Sequence, residues 1–216
     1  PRKRKTRRWR ISIFRSSIDA GMPKRPRLLV TLGDPCGIGP ELLLATLPRL
    51  QALGELQVVG PTAALALLGR ELPEVAWFDP TPDVRPEDLA LGQPSAASGR
   101  CAVEAVRLAA QKLMAGEADA LVTLPLTKAA AHLAGYDLPG HTEFLQGLSG
   151  SPMTRMAFLS PTLNVVLHTV HQSLRSVVEE LSAAAVAETL AFAAERFAQI
   201  TGLMEPRVAL CALNPH

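Results

Sequence analysis

The stretch "RLLVTLGDPCGIGPELLLATLPRL", residues 27–50, decides the fold. Residues 27–33 form a short β-rich apolar run that ends in glycine, and residues 37–50 open with glycines and become helix-like. Gly33, Gly37 and Gly39 permit a tight turn and close backbone approach, and the start of a helix favours anions. The spacing is not the dinucleotide fingerprint G-x-G-x-x-G. It is not a P-loop either, which needs Lys-Ser/Thr after its last glycine. The stretch therefore reads as a strand–turn–helix unit, and a purely structural turn explains it at least as well as a ligand loop.

Outward from this unit the same alternation recurs. Residues 55–60 read as a strand, 61–70 as a helix with proline near its start, and 75–78 as another strand. Residues 81–95, rich in proline and polar side chains, read as a long loop. The clearest helix covers 98–119, with Val103, Val106, Leu108, Leu113 and Met114 near helical spacing and Gly116 near its end. A buried-type strand at 120–125 stops at Pro125, and a short helix at 127–135 stops at Gly135. Strands are then expected at 156–160 and 163–171, a long helix from about Leu174 to Ile200, and a strand at 207–214. Apolar runs alternating with helices predict an α/β fold with helices covering a sheet.

Composition narrows the class. Of 216 residues, 48% are hydrophobic, enough for one large domain or two small ones. No run is long and apolar enough for a membrane helix, so no membrane partner is expected. Cys36, Cys101 and Cys211 are far apart and odd in number, which fits a reducing cytoplasm rather than a disulfide or zinc scaffold. The net charge of +2 conceals an asymmetry, because residues 1–10 hold seven of the 22 basic residues. From Met22 onward there are 14 basic and 19 acidic residues. A basic arm can bind nucleic acid. No aromatic–basic interleaving continues into the body, however, and the arm lacks the apolar region of a targeting peptide. Residues 1–21 are expected to be a disordered tail outside the native protein, and no nucleic-acid partner is expected.

Four short segments carry polar chemistry. In "VTLPLTK" (122–128) a strand ends and Lys128 begins a helix, where ligands of open α/β sheets sit. In "PGHTEFL" (139–145) Thr142 is an expected N-cap, Glu143 lies in the first turn, and His141 precedes the cap within reach of a ligand. In "LHTVHQS" (167–173) His168 and His171 stand three apart, so on an extended strand they face opposite ways. His216 ends the apolar run 207–214 plus proline. Two imidazoles at the carboxyl ends of two strands can converge on one divalent cation, but two ligands are fewer than protein sites supply.

Taken together, "TLGDPCGIGPE", "VTLPLTKAA", "AGYDLPGHTEFL", "VVLHTVHQSL" and "LCALNPH", in this order and spacing, resemble the N-terminal and central part of the 4-hydroxythreonine-4-phosphate dehydrogenase family of pyridoxine biosynthesis. The resemblance spans Arg27 to His216. It implies an isocitrate/isopropylmalate dehydrogenase-like three-layer α/β fold with an incomplete second domain, divided at 22–138 and 139–216, in a cytoplasmic homodimer. It implies oxidation of the secondary alcohol of 4-phosphooxy-L-threonine by NAD or NADP, then loss of CO₂ to give 3-amino-2-oxopropyl phosphate for pyridoxal phosphate. A divalent metal (Zn, Mg or Co) is implied. By position His141 and Thr142 match substrate contacts, His171 rather than His168 matches the first metal ligand, and His216 the second. No catalytic residue is assigned.

Members of that family continue beyond the Asn-Pro-His motif into a segment with a third metal histidine and much of the cofactor site. The chain is thus expected to be a fragment or an inactive truncated remnant, with exposed apolar surface and a tendency to aggregate. A dehydrogenase of threonate or erythronate 4-phosphate is the alternative within the same family.

Overall fold

A computed structural model describes residues 25–138 and 140–214. The basic arm 1–21 lies outside the described residues, and so does His216. The chain divides into two compact units, one spanning Pro23–Thr154 and the other including the residues from Arg155 onward.

The first unit is built on four parallel strands in the order β3-β2-β1-β4: β1 (Arg27–Thr31), β2 (Glu55–Val59), β3 (Ala76–Phe78) and β4 (Ala120–Thr123). Helices α1 (Gly39–Leu53), α2 (Ala63–Leu67), α3 (Ala96–Met114) and α4 (Lys128–Leu133) connect or follow the strands, with one 3-10 turn at Pro86–Asp88. A fifth helix, α5 (His141–Ser149), closes the unit. Strand β1 is central, pairing Leu28 with Leu56 on one side and with Ala120 on the other. Its apolar run is continuous because both faces are covered. Leu28, Val30 and Leu32 pack with Leu43, Leu47 and Leu50 of α1, while Leu29 meets Ala105, Leu108 and Ala109 of α3. This is the three-layer α/β arrangement expected from the sequence.

Helix α3 starts two residues earlier than the apolar spacing predicts. Ser95 caps it by accepting from the Ser98 N–H at 3.1 Å, and the Ser98 hydroxyl accepts from the Ser95 N–H in return. Helices α3 and α4 approach so closely that a Cβ on Gly99 would lie 1.9 Å from the Ala130 carbonyl oxygen.

The second unit differs from the sequence reading. Its strands shrink to β5 (Ala157–Phe158) and β6 (Val165–Val166), an antiparallel pair. The long helix breaks into α6 (Leu174–Glu180) and α7 (Ala183–Thr201), because Ser182 turns to extended backbone and caps Ala185. Among the described residues, 207–214 form no strand, and Val208, Leu210 and Leu213 are exposed. An apolar run becomes a strand only where a partner completes its ladder. No helix among the described residues is long and apolar enough to cross a membrane.

Candidate active site

In the order 3-2-1-4 the chain runs outward from β1 through β2 to β3 and then crosses back to β4 on the other side of β1, so the loops beyond the carboxyl ends of β1 and β4 are neighbours at the topological switch point. The loop after β1 is filled by its own backbone. Asp34 is buried, its carboxylate accepts from the Cys36 N–H at 2.9 Å, and its carbonyl accepts from the Gly37 N–H at 3.0 Å. The Asp34 N–H donates to the Pro125 carbonyl at 2.9 Å, tying this loop to the one after β4. Gly33 is left-handed at φ +73°, and a Cβ there would stand 2.2 Å from the same Pro125 oxygen. The glycines thus serve a close backbone junction. Lys128 opens α4 just beyond it, exposed.

His141 is the first residue of α5. Its Nε2 is buried with no hydrogen-bond partner, and burial pulls the imidazole pKa below its ordinary value. An orphaned buried nitrogen costs about 1–3 kcal/mol in the unliganded chain. Thr142 stands beside it in the same first turn, half-buried. Thr142 does not cap the helix. Gly140 holds the N-cap place in extended backbone, without a side-chain cap. Glu143 folds back over it, with Oε2 2.7 Å from where a Cβ on Gly140 would be.

In the second unit the two central histidines are used differently. His168 lies beyond the end of β6, half-buried, with Nδ1 2.9 Å from the Thr189 hydroxyl. The Arg155 guanidinium donates to that same hydroxyl from Nε at 3.1 Å and Nη2 at 3.0 Å. His171 is exposed, forms no hydrogen bond among the described residues, and has left-handed backbone at φ +54°. That region is uncommon for a side-chain-bearing residue. An exposed, unengaged imidazole suits a divalent cation, whereas the His168 ring is already engaged. No group of three or more His, Cys, Asp or Glu suited to a metal gathers among the described residues. The sequence reading missed Thr189 and Arg155. The one available signal was a threonine in the middle of an Ala-rich helix.

These features define a doubly wound α/β protein with two underused imidazoles, one orphaned at a helix start and one on a strained turn. The family model described as Pyridoxal phosphate biosynthetic protein PdxA matches residues 47–216, and the chain belongs to that family. It is 35% identical over 211 residues to the D-threonate 4-phosphate dehydrogenase of Salmonella typhimurium, covering 87% of this chain and 63% of that one. It is 36% identical over 210 residues to the 4-hydroxythreonine-4-phosphate dehydrogenase of Synechocystis sp., covering 88% and 60%. The crystal structure of the Klebsiella pneumoniae 4-hydroxythreonine-4-phosphate dehydrogenase superposes with a TM-score of 0.75 at 32% identity, covering 90% of this chain and 65% of that one. The fold is accordingly of the isocitrate/isopropylmalate dehydrogenase-like α/β type. The chain spans 60–63% of the length of these two curated relatives.

Proposed function

We propose that the protein represented by this chain is an NAD- or NADP-dependent dehydrogenase of a four-carbon acid 4-phosphate. Its substrate is 4-phosphooxy-L-threonine, converted with loss of CO₂ to 3-amino-2-oxopropyl phosphate in pyridoxal phosphate synthesis. It works as a cytoplasmic homodimer. The observation that carries this reading is the buried, unpartnered Nε2 of His141 within the GHTEF segment, in a chain matched by the PdxA family model. Burial favours the neutral ring, which presents one N–H and one lone pair. With the hydrogen on Nε2, a substrate oxygen would complete its hydrogen bond. Thr142, in the first turn, adds a hydroxyl, and the turn's free N–H groups favour an anionic group there.

His171, with His216, is proposed to hold the divalent cation (Zn, Mg or Co). The unengaged ring and strained backbone of His171 support this. Such a cation would polarise the substrate oxygen, and the nicotinamide would take up the electrons. His168 is assigned no ligand role, because two Arg155 donors on the Thr189 hydroxyl leave its hydrogen for His168 Nδ1, and the ring's own hydrogen then occupies Nε2.

A second reading has support from the Salmonella typhimurium relative named for D-threonate 4-phosphate. NAD(P)H formation by the complete protein, measured with each substrate in turn, decides. Faster oxidation of 4-phosphooxy-L-threonine is expected. The reverse order assigns the threonate reaction, and no NAD(P)H with either substrate removes the dehydrogenase reading. His171→Ala should abolish metal-dependent turnover, while His168→Ala should do much less. Equal losses would mean that the ligand has been misassigned.

A further inference from the structure

We propose that Thr189 is a positioning residue for His171: through the His168 ring, its hydroxyl fixes the turn that presents His171. The proposal rests on the assignment of His171 as a metal ligand. Among the described residues from Arg155 onward, Thr189 is the one that is fully buried, at 6% exposure. A threonine at the most protected point of a unit otherwise half-buried or exposed has a polar purpose.

Hydrogen-bond accounting defines that purpose. A hydroxyl has one hydrogen and two lone pairs. Both Arg155 contacts, at 3.1 and 3.0 Å, come from obligate donors and fill the two lone pairs. The remaining hydrogen must point at His168 Nδ1, 2.9 Å away. That nitrogen is therefore an acceptor, and the ring hydrogen sits on Nε2. Thr189 thereby sets both the orientation and the tautomer of His168.

His168 is the strand-side clamp of a short turn. The β5–β6 ladder ends with the Leu167 N–H donating to the Met156 carbonyl at 2.9 Å. Beyond it the next fixed points are the His168 ring, then Gln172, whose side-chain amide donates to Glu180 at 2.6 Å, and Ser173, which caps α6 by accepting from the Ser176 N–H at 3.1 Å. His171 sits between the two clamps with φ +54°. Left-handed backbone at a side-chain-bearing residue is strained and persists only where the surroundings over-determine it. Releasing the His168 clamp lets His171 return to ordinary φ and swings its imidazole away.

The test uses Co²⁺ affinity by calorimetry and the ¹⁵N pattern of the His168 ring in the full chain. The unsubstituted chain should show a single tautomer with Nδ1 as acceptor. Thr189→Val should mix the tautomers and weaken Co²⁺ binding by roughly tenfold, the low end for groups supporting a metal ligand. Thr189→Ser, which keeps the hydroxyl, should restore both. If Thr189→Val lowers thermal stability but leaves Co²⁺ affinity unchanged, while His171→Ala loses binding, Thr189 is merely structural and the proposal fails alone. If the unsubstituted chain does not bind Co²⁺, or His171→Ala leaves binding intact, the metal assignment fails and takes the proposal with it.

Discussion

Three glycine-to-alanine substitutions separate two physical reasons for glycine in this fold. Gly116 is left-handed at φ +73° with nothing within 4 Å of a built Cβ, so Gly116→Ala adds only backbone strain. That strain is about 1–2 kcal/mol. Gly39 carries no such φ, but its Cβ would lie 2.0 Å from the Leu32 carbonyl oxygen, so Gly39→Ala adds only a clash. Overpacking of this kind costs about 1–3 kcal/mol as neighbours shift. Gly33 has both problems: φ +73° and a Cβ 2.2 Å from the Pro125 oxygen. Displacing Pro125 also endangers the 2.9 Å bond that its carbonyl accepts from the Asp34 N–H, worth about 1 kcal/mol. Gly33→Ala should therefore cost about 3–6 kcal/mol, the sum of the other two plus that bond. Urea unfolding followed by far-UV circular dichroism measures all three. Equal losses at Gly33 and Gly116 would show that the β1–β4 junction relaxes freely, and the close approach would then have no energetic meaning.

Two further outcomes test the electrostatics and the core. Asp119 receives the Arg27 side chain at 2.8 Å, and these hydrogen bonds hold its carboxyl down to about 2. The unfolded carboxyl, near 3.9, binds its proton first, so the stabilisation is present above about pH 4 and fades as pH falls toward 2. Asp119→Asn should flatten the pH dependence of the urea midpoint in that window, and an unchanged profile refutes the pairing. Thr31 is fully buried with no partner for Oγ1. Thr31→Val keeps the shape and removes the orphan, so it should stabilise by about 1 kcal/mol in the same urea assay. A loss instead would mean that the hydroxyl is satisfied in solution.

The first unit was legible because its signals were local and agreed with one another. A continuous apolar run, glycines at the turn and helical spacing beyond it all favour strand–turn–helix at residues 27–50, where β1 and α1 form. The second unit was less legible because its signals were non-local. Residues 163–171 carry strand-type side chains, yet pairing ends at Val166, and His168 is held by Thr189, 21 residues further along the chain, a contact that no local pattern reveals. Residues 207–214 read as a strand from hydropathy, which cannot supply the partner that a ladder needs. Thr142 was mistaken for a cap because Thr before Glu is a common helix start, whereas the extended Gly140 takes that place. Alternation along an extended strand places the two histidines of "LHTVHQS" on opposite faces, but the strand ends at Val166 and neither histidine lies on it. One ring is spent on a hydroxyl, and the other stands on a left-handed turn.

Orphaned and strained groups need not mean the same thing at different places. Thr31 and His141 both carry a buried polar atom without a partner. The Thr31 hydroxyl lies on a strand between two covering layers, fully enclosed at 0% exposure, so no ligand reaches it without opening the sheet. His141 is only half-buried and begins a helix, where free N–H groups already favour an anion. The cost at Thr31 is simply carried by the fold, and removing the hydroxyl recovers it. The cost at His141 would be recovered by an added acceptor, which is the role proposed for the substrate. His171 follows the same logic, since its strain lowers the stability of the free chain while leaving the ring unengaged. Position in the fold, not the missing bond itself, separates the two: Thr31 lies inside the sheet, whereas His141 opens a helix.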